Sequence, residues 1–144
     1  MSLMQPGVLL ARGVCRALVQ HGWSVLTEVT LANGRRADIM ALLPNGDIVI
    51  VEVKSSLEDF RADRKWGEYR DFCDSLYFAI SDGFPHERIS GECGLIAADA
   101  FGAEILRAAP VVRLAPARRK AVTFRFAQLA AQRLQRLLDP GPLP

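Results

Sequence analysis

The sequence has few of the residues that mark specialised structural classes. Its three cysteines, Cys15, Cys73 and Cys93, are odd in number and widely spaced, which argues against a disulfide framework and against a zinc site. No apolar run approaches the roughly 18 residues that a membrane span requires, and no charged-then-apolar leader opens the chain. We therefore expect a single domain over residues 1–144 that works in the cytoplasm.

Excess charge of one sign is also missing, because the net charge is only +2. A value this small does not by itself indicate a nucleic-acid partner. Of the 18 basic residues only three are lysines, namely Lys54, Lys65 and Lys120. Arginine enrichment reflects genomic base composition as readily as phosphate binding. A lysine next to a carboxylate in the sequence therefore carries more weight than another arginine would.

Hydrophobic periodicity predicts an α/β domain. Apolar residues recur with a helical period across residues 8–20 and again across residues 124–138. One further helix is expected at residues 55–73. Alternating or Val-rich segments predict six strands, at residues 23–31, 36–43, 47–54, 75–81, 94–98 and 103–107. The last two strands are expected to form a hairpin. The basic residues 118–120 are expected in a linker before the last helix, where they either contact a nucleic-acid backbone or are simply solvated.

Two tight turns set the pairing of the first three strands. The Pro-Asn-Gly sequence at residues 44–46 suits a three-residue hairpin loop, because Pro favours the first corner of a type I turn and Gly the left-handed position after it. Counting back along both strands places Asp38 opposite Glu52. The Ala-Asn-Gly sequence at residues 32–34, interpreted in the same way, places Glu28 opposite Asp38.

The predicted register separates apolar from charged side chains. A two-residue turn at either Asn-Gly would shift the register by one residue and send every side chain to the other face. In the three-residue register one face is almost wholly apolar and suited to pack on a helix; it carries Val25, Thr27, Val29, Ala37, Ile39, Ala41, Val49, Val51 and Val53. The other face carries three rows: Leu26, Met40 and Ile50; Glu28, Asp38 and Glu52; Thr30, Arg36 and Lys54.

The acidic row predicts a metal site. Directly opposed side chains have Cβ atoms about 4.5–5.5 Å apart, and like charges at that separation destabilise a sheet unless a cation neutralises them. Oxygen ligands without histidine or thiolate favour Mg²⁺ or Mn²⁺ over zinc. Two simpler interpretations stay open: the row is a surface ion-pair cluster, or Glu28 is an ordinary partner of Arg36.

Two of these strands carry a recognisable motif. The segments Arg36-Ala37-Asp38-Ile39 and Val51-Glu52-Val53-Lys54 resemble the PD-(D/E)xK nuclease motif, with Ala37 in the place of its proline. The predicted order of helix, three-stranded antiparallel meander, helix and strand resembles the restriction-endonuclease-like core, with a hairpin and a C-terminal helix added. More widely, residues 34–39, 51–56, 59–66, 77–80 and 94–99 resemble the MmcB-like DNA repair protein family.

The resemblance implies DNA as the substrate and a divalent metal held by Asp38 and Glu52, with Lys54 as the third catalytic residue. Many members of the wider fold carry an acidic residue on the first helix, whereas residues 8–20 contain none. Glu28 is then the candidate third ligand, on the basis of the register alone. The resemblance implies a role in repair without specifying a reaction or a repair-protein partner.

Further candidates for DNA contact are Arg36, Ser55, Lys65 and Trp66. Ser55 also suits a helix cap with Glu58, and Trp66 also suits the hydrophobic core. Three hypotheses result: a metal-dependent nuclease, a nuclease-fold module that binds DNA or a repair partner without cutting, and a structural subunit that uses its last helix. That helix is expected to pack in the core and, as a second possibility, to form a homodimer contact. A motif and a fold do not by themselves establish turnover.

Overall fold

The computed structural model describes residues 5–56 and 66–142. These residues form a mixed α/β fold in which helices flank a six-stranded sheet with the strand order β1-β2-β3-β4-β5-β6. The strands are β1 Ser24–Thr30, β2 Arg36–Leu42, β3 Ile48–Lys54, β4 Ser75–Ile80, β5 Gly94–Ala98 and β6 Ala103–Arg107. The helices are α1 Pro6–Gln20 and α2 Pro116–Leu138, with 3₁₀ helices at Trp66–Phe72 and His86–Arg88. β3, β4 and β5 run parallel, and the other neighbouring strands are antiparallel.

The predicted strands are all present, with ends that differ by no more than two residues. The last helix begins earlier than predicted, at Pro116, so residues 118–120 belong to α2 and not to a linker. Pro is favoured in the first turn of a helix, and it extends α2 beyond the segment with apolar periodicity. Much of the helix predicted at residues 55–73, including Glu58, lies outside the described residues; its described end is the 3₁₀ helix Trp66–Phe72.

Both predicted hairpin loops are confirmed. The amide of Leu43 donates to the carbonyl of Asp47 at 2.9 Å, and the amide of Leu31 donates to the carbonyl of Arg35 at 2.7 Å. Gly34 and Gly46 have φ values of 86° and 91°, the left-handed conformation that the turn requires and that glycine adopts most easily. The registers follow, because Ile39 pairs with Val51 across β2 and β3, and with Thr27 across β1 and β2.

A separate hydrophobic cluster covers each face of the sheet. On one face α1 packs Leu10, Val14 and Leu18 against residues that include Ile39, Val49, Val51 and Val53, as predicted for the apolar face. On the other face α2 and the 3₁₀ helix Trp66–Phe72 cover residues that include Met40, Ile50 and Phe78.

The predicted face is wrong for Val29 and Ala37, which belong to the cluster under α2. The cause is an irregularity at Glu28, whose φ is 50°, a left-handed conformation that is uncommon for a residue other than glycine. The β1–β2 ladder pairs the residues on either side but omits Glu28 and Asp38. The two-residue alternation of side chains therefore changes face at this point in both strands.

Asp74, just before β4, joins three parts of the chain. Its side chain accepts hydrogen bonds from the amides of Ile48 and Leu114, and Arg119 of α2 donates to both of its oxygens at 2.8 Å and 2.5 Å. Burial tends to raise the pKa of Asp74, but these hydrogen bonds outweigh it and lower the pKa below the usual value. A buried carboxylate satisfied in this way fixes the start of α2 against the sheet.

Candidate metal and nucleic-acid site

β2 and β3 separate at the two motif carboxylates. The regular ladder ends at the pair Ile39 and Val51. At the next position the amide of Asp38 donates to Glu52 Oε2 at 2.8 Å, and the amide of Val53 donates to Asp38 Oδ2 at 2.8 Å. Each carboxylate thus accepts a hydrogen bond from the opposite strand, so Asp38 and Glu52 lie across from one another as the register predicts.

Two of the motif residues are buried charges. Glu52 is 2% exposed and Lys54 is 6% exposed, although both lie in a strand otherwise composed of Ile and Val. Charged side chains are almost never buried to this degree unless they are paired or bound to a ligand. Asp38 is half-buried and completes the cluster of Asp38, Glu52 and Lys54, which we call the acid–lysine cluster.

The protonation of Glu52 reflects this environment. Burial raises the pKa of Glu52 to about 8, and the negative charge of Asp38 adds to the increase. The hydrogen bonds from the amide of Asp38 and from Tyr69, together with the positive charge of Lys54, lower the pKa but do not offset the increase. The ionised form of Glu52 therefore needs additional positive charge close to it at neutral pH.

The acid–lysine cluster fits a hard divalent cation. Carboxylate oxygens are the ligands that Mg²⁺ and Mn²⁺ prefer, and a cation held by Asp38 and Glu52 would oppose both influences that raise the pKa of Glu52. The predicted row of three carboxylates is not formed, however. Glu28 is 66% exposed and lies 4.0 Å from the guanidinium of Arg36. Among residues 5–56 and 66–142, no three His, Cys, Asp or Glu side chains are grouped to hold a metal ion.

Asp38 lines an open groove of about 1420 Å³ between α1 and the adjoining parts of β1, β2 and β3. From the sheet the groove receives the predicted candidates Glu28, Arg36 and Ser55. From α1 it receives two exposed arginines, Arg12 and Arg16, which sequence reasoning missed. Their spacing of four residues on the polar side of a predicted helix is the signal that would have identified them.

Two candidates for DNA contact cannot be assigned a position. Lys65 lies outside the described residues, and so does the side chain of Trp66. Of the helix predicted at residues 55–73, the described end is the 3₁₀ helix Trp66–Phe72, in which Tyr69 donates a hydrogen bond to Glu52. Nothing in the sequence pattern distinguished Tyr69 from its neighbours, because its role depends on a contact between distant parts of the chain.

Arg133 of α2 holds the irregular part of β1. Its guanidinium donates to the carbonyls of Thr27 and Glu28 at 2.6 Å and 2.9 Å. Thr27 and Glu28 both line the groove, and Glu28 is the residue with the left-handed backbone. A planar donor that bonds two successive carbonyls opposes the return of this segment to regular strand geometry.

We expect Arg133→Met to destabilise the protein by about 1–3 kcal/mol, the cost of losing a charged hydrogen-bonding partner. The loss should be concentrated in β1, so hydrogen exchange of the amides of residues 26–30 should accelerate more than that of β3. Arg136→Met, on the exposed part of the same helix, is the matched control and should leave both quantities unchanged. Equal effects of the two substitutions would contradict a specific role for Arg133.

The fold and the site together define a mixed α/β protein with a buried acid–lysine cluster beside a groove that carries arginines. The chain belongs to the MmcB-like DNA repair protein family, whose model matches residues 2–141. It is also similar to a solved structure, the SPO1766 protein of unknown function from Silicibacter pomeroyi. That protein is 48% identical with a TM-score of 0.93, and the match covers 98% of this chain and 97% of the other.

A search of curated proteins gave no match. In the described part of the chain, no helix is both long enough and apolar enough to cross a membrane.

Proposed function

We propose that this protein is a metal-dependent deoxyribonuclease of DNA repair that hydrolyses phosphodiester bonds on a restriction-endonuclease-like core. The observation that carries the proposal is the pair Asp38 and Glu52, held together across two strands with Lys54 buried beside it. The antiparallel meander β1–β3 followed by the parallel strand β4 agrees with that core. Membership of a family named for DNA repair supports DNA as the substrate.

In this proposal Asp38 and Glu52 hold Mg²⁺ or Mn²⁺. The bound cation supplies the positive charge that polarises a phosphate oxygen and lowers the pKa of water. Glu28 is not included among the ligands, because its carboxylate is exposed and faces Arg36. Tyr69 and the amide of Asp38 keep the Glu52 carboxylate oriented through their hydrogen bonds.

Lys54 has the role of a positive donor to the reacting phosphate. Its side chain leaves the same face of β3 as Glu52, two residues away, and its positive charge acts on the Glu52 carboxylate. A preorganised positive donor stabilises the charge that develops on phosphate oxygens during hydrolysis. Arg12, Arg16 and Arg36 contact the DNA backbone along the groove and fix its position without reading its sequence.

One observation favours a second candidate, a module that binds DNA without cleaving it. Each carboxylate already accepts a hydrogen bond from a backbone amide of the neighbouring strand. The same hydrogen bonds would be expected if the two carboxylates only held β2 and β3 together. In this reading the groove arginines bind DNA and Glu52 stays protonated at neutral pH.

Titration with Mn²⁺ by isothermal calorimetry tests the metal site. We expect the wild type to bind Mn²⁺ with release of a proton near pH 7, because the pKa of Glu52 is about 8 and the metal requires the ionised form. Asp38→Asn and Glu52→Gln should each lower the affinity by at least about tenfold, and Glu52→Gln should also abolish the proton release. Comparing buffers with different ionisation enthalpies measures the released proton.

Glu28→Gln is the matched control, since it removes a carboxylate from the same groove without touching the pair. It should leave Mn²⁺ affinity within about twofold of the wild type. Retained binding in Asp38→Asn, or a loss in Glu28→Gln as large as in Glu52→Gln, would place the metal elsewhere.

A further inference from the structure

α2 has a second apolar stripe that its own domain does not cover. The first stripe, Val122, Phe126 and Leu129, is buried against the sheet. The residues of the second stripe are all exposed, and they follow one another at intervals of three and four positions. We call this stripe the α2 seam, and it consists of Phe124, Ala127, Ala131, Leu134 and Leu138. Phe124, Leu134 and Leu138 are 64%, 57% and 74% exposed, respectively.

The spacing of the α2 seam is that of helices that pack in pairs. An average interval of 3.5 residues keeps the stripe facing a partner helix along its length. We number the heptads with Phe124, Ala131 and Leu138 at position a and with Ala127 and Leu134 at position d. In this numbering the buried stripe falls at positions c and f, on the side of α2 away from the seam, so a partner helix can approach the seam. Ala127 and Ala131 in the middle of the seam allow two helix backbones to come close.

Apart from the hydrogen bonds that Arg133 donates to the carbonyls of Thr27 and Glu28, the C-terminal part of α2 has no buried side chain to hold it on its own domain. Beyond Leu129 no residue of α2 is buried, and Leu137 is 80% exposed in addition to the seam leucines. An isolated helical segment of this length is marginal in water. A contiguous exposed stripe of large apolar side chains indicates a surface that is covered by a partner.

The uncharged positions beside the α2 seam favour a second copy of the chain as the partner. The four positions that flank the seam, where charged residues usually select a partner, are all uncharged: Gln128, Ala130, Gln135 and Leu137. The arginines of this segment, Arg125, Arg133 and Arg136, lie away from the seam in the same numbering. Two copies of the seam therefore meet with no like charges at the flanks, whereas a strongly acidic helix would find no opposite charge there.

We propose that the α2 seam is a homodimer interface, in which α2 of one chain packs against α2 of a second copy. A two-fold interface of this kind uses the same patch on both chains. No residue of the seam lines the groove at Asp38, so the proposed interface does not use the groove residues. The proposal does not depend on cleavage of DNA. With only about two heptads of contact we expect a reversible dimer whose population depends on concentration.

Sedimentation velocity over a range of concentrations tests the interface. The wild type should shift from the monomer mass towards twice the monomer mass as concentration rises. Leu134→Glu and Ala131→Glu place a charge in the seam and should stay monomeric at every concentration, with unchanged far-UV circular dichroism because both sites are exposed. Gln132→Glu introduces the same charge one residue away from the seam and should dimerise like the wild type.

Three outcomes would overturn the proposal. The first is a wild type that stays monomeric at the highest concentration, and the second is a dimer that persists in Leu134→Glu. The third comes from a separate measurement of binding to phosphatidylserine vesicles, which is needed because a basic amphipathic helix can also lie on an anionic membrane surface. A wild type that stays monomeric and binds such vesicles through Leu134 would show that lipid covers the seam, and not a second copy.

Discussion

Replacing Lys54 by methionine is expected to slow DNA cleavage by at least about 100-fold while leaving the fold and most of the DNA affinity intact. Methionine retains much of the volume of a side chain that is only 6% exposed, so packing in β3 is largely preserved. The substitution removes the positive donor at the carboxylate pair, and losing one such donor costs about 100- to 1,000-fold in rate. Single-turnover cleavage of labelled DNA with Mn²⁺ measures the effect.

Lys120→Met is the matched control for this experiment. Lys120 is an exposed lysine of α2 that does not line the groove, and its replacement should leave the cleavage rate within about twofold of the wild type. DNA affinity measured in EDTA at several salt concentrations completes the comparison. If Lys54 only contributes one positive charge to binding, its removal lowers the salt slope by about one unit and cleavage survives. That result would contradict the catalytic role.

The second large effect concerns stability in the absence of metal. Because burial and Asp38 raise the pKa of Glu52 from 4.5 to about 8, the folded chain holds a proton that the unfolded chain releases. The free energy of unfolding should therefore be highest at low pH within this window and should fall as pH rises from about 4.5 to about 8. The expected decrease is on the order of a few kcal/mol.

Urea unfolding at pH 5 and pH 8 in EDTA measures this decrease, and Glu52→Gln should remove most of it. Other groups with shifted pKa values titrate outside the range from pH 5 to pH 8. The pKa of Asp74 is lowered, and burial raises the pKa of Cys73 to about 12. Adding Mn²⁺ should stabilise the wild type more at pH 8 than at pH 5, because the metal binds the ionised carboxylate. The same pH profile in the wild type and in Glu52→Gln would show that Glu52 does not titrate in this range.

The strand register could be predicted from the sequence because it depends on local chemistry. Two loops with glycine at the left-handed position determine which residues pair, and the positions of Asp38 and Glu52 follow by counting. The hydrophobic alternation then selects this register over a shift by one residue. The motif residues are therefore brought together by information contained within about 25 consecutive residues.

The parts that could not be predicted depend on contacts between distant segments. The left-handed backbone of Glu28 is held by Arg133, about 100 residues away in the sequence, and no local pattern at Glu28 indicates it. The same irregularity moved Val29 and Ala37 to the other face, and it left Glu28 exposed beside Arg36. Tyr69 was missed for the same reason, since its hydrogen bond to Glu52 joins a 3₁₀ helix to β3.

The proposed function rests on a metal-dependent hydrolytic site for DNA at Asp38 and Glu52. The most direct measurement is cleavage of single-stranded, double-stranded and branched DNA by the purified wild type in Mn²⁺, Mg²⁺ or EDTA, with Asp38→Asn prepared in parallel. We expect the wild type to cleave at least one DNA form with a divalent metal, and we expect no cleavage in EDTA or by Asp38→Asn. Binding of DNA without cleavage of any form under these conditions would contradict it.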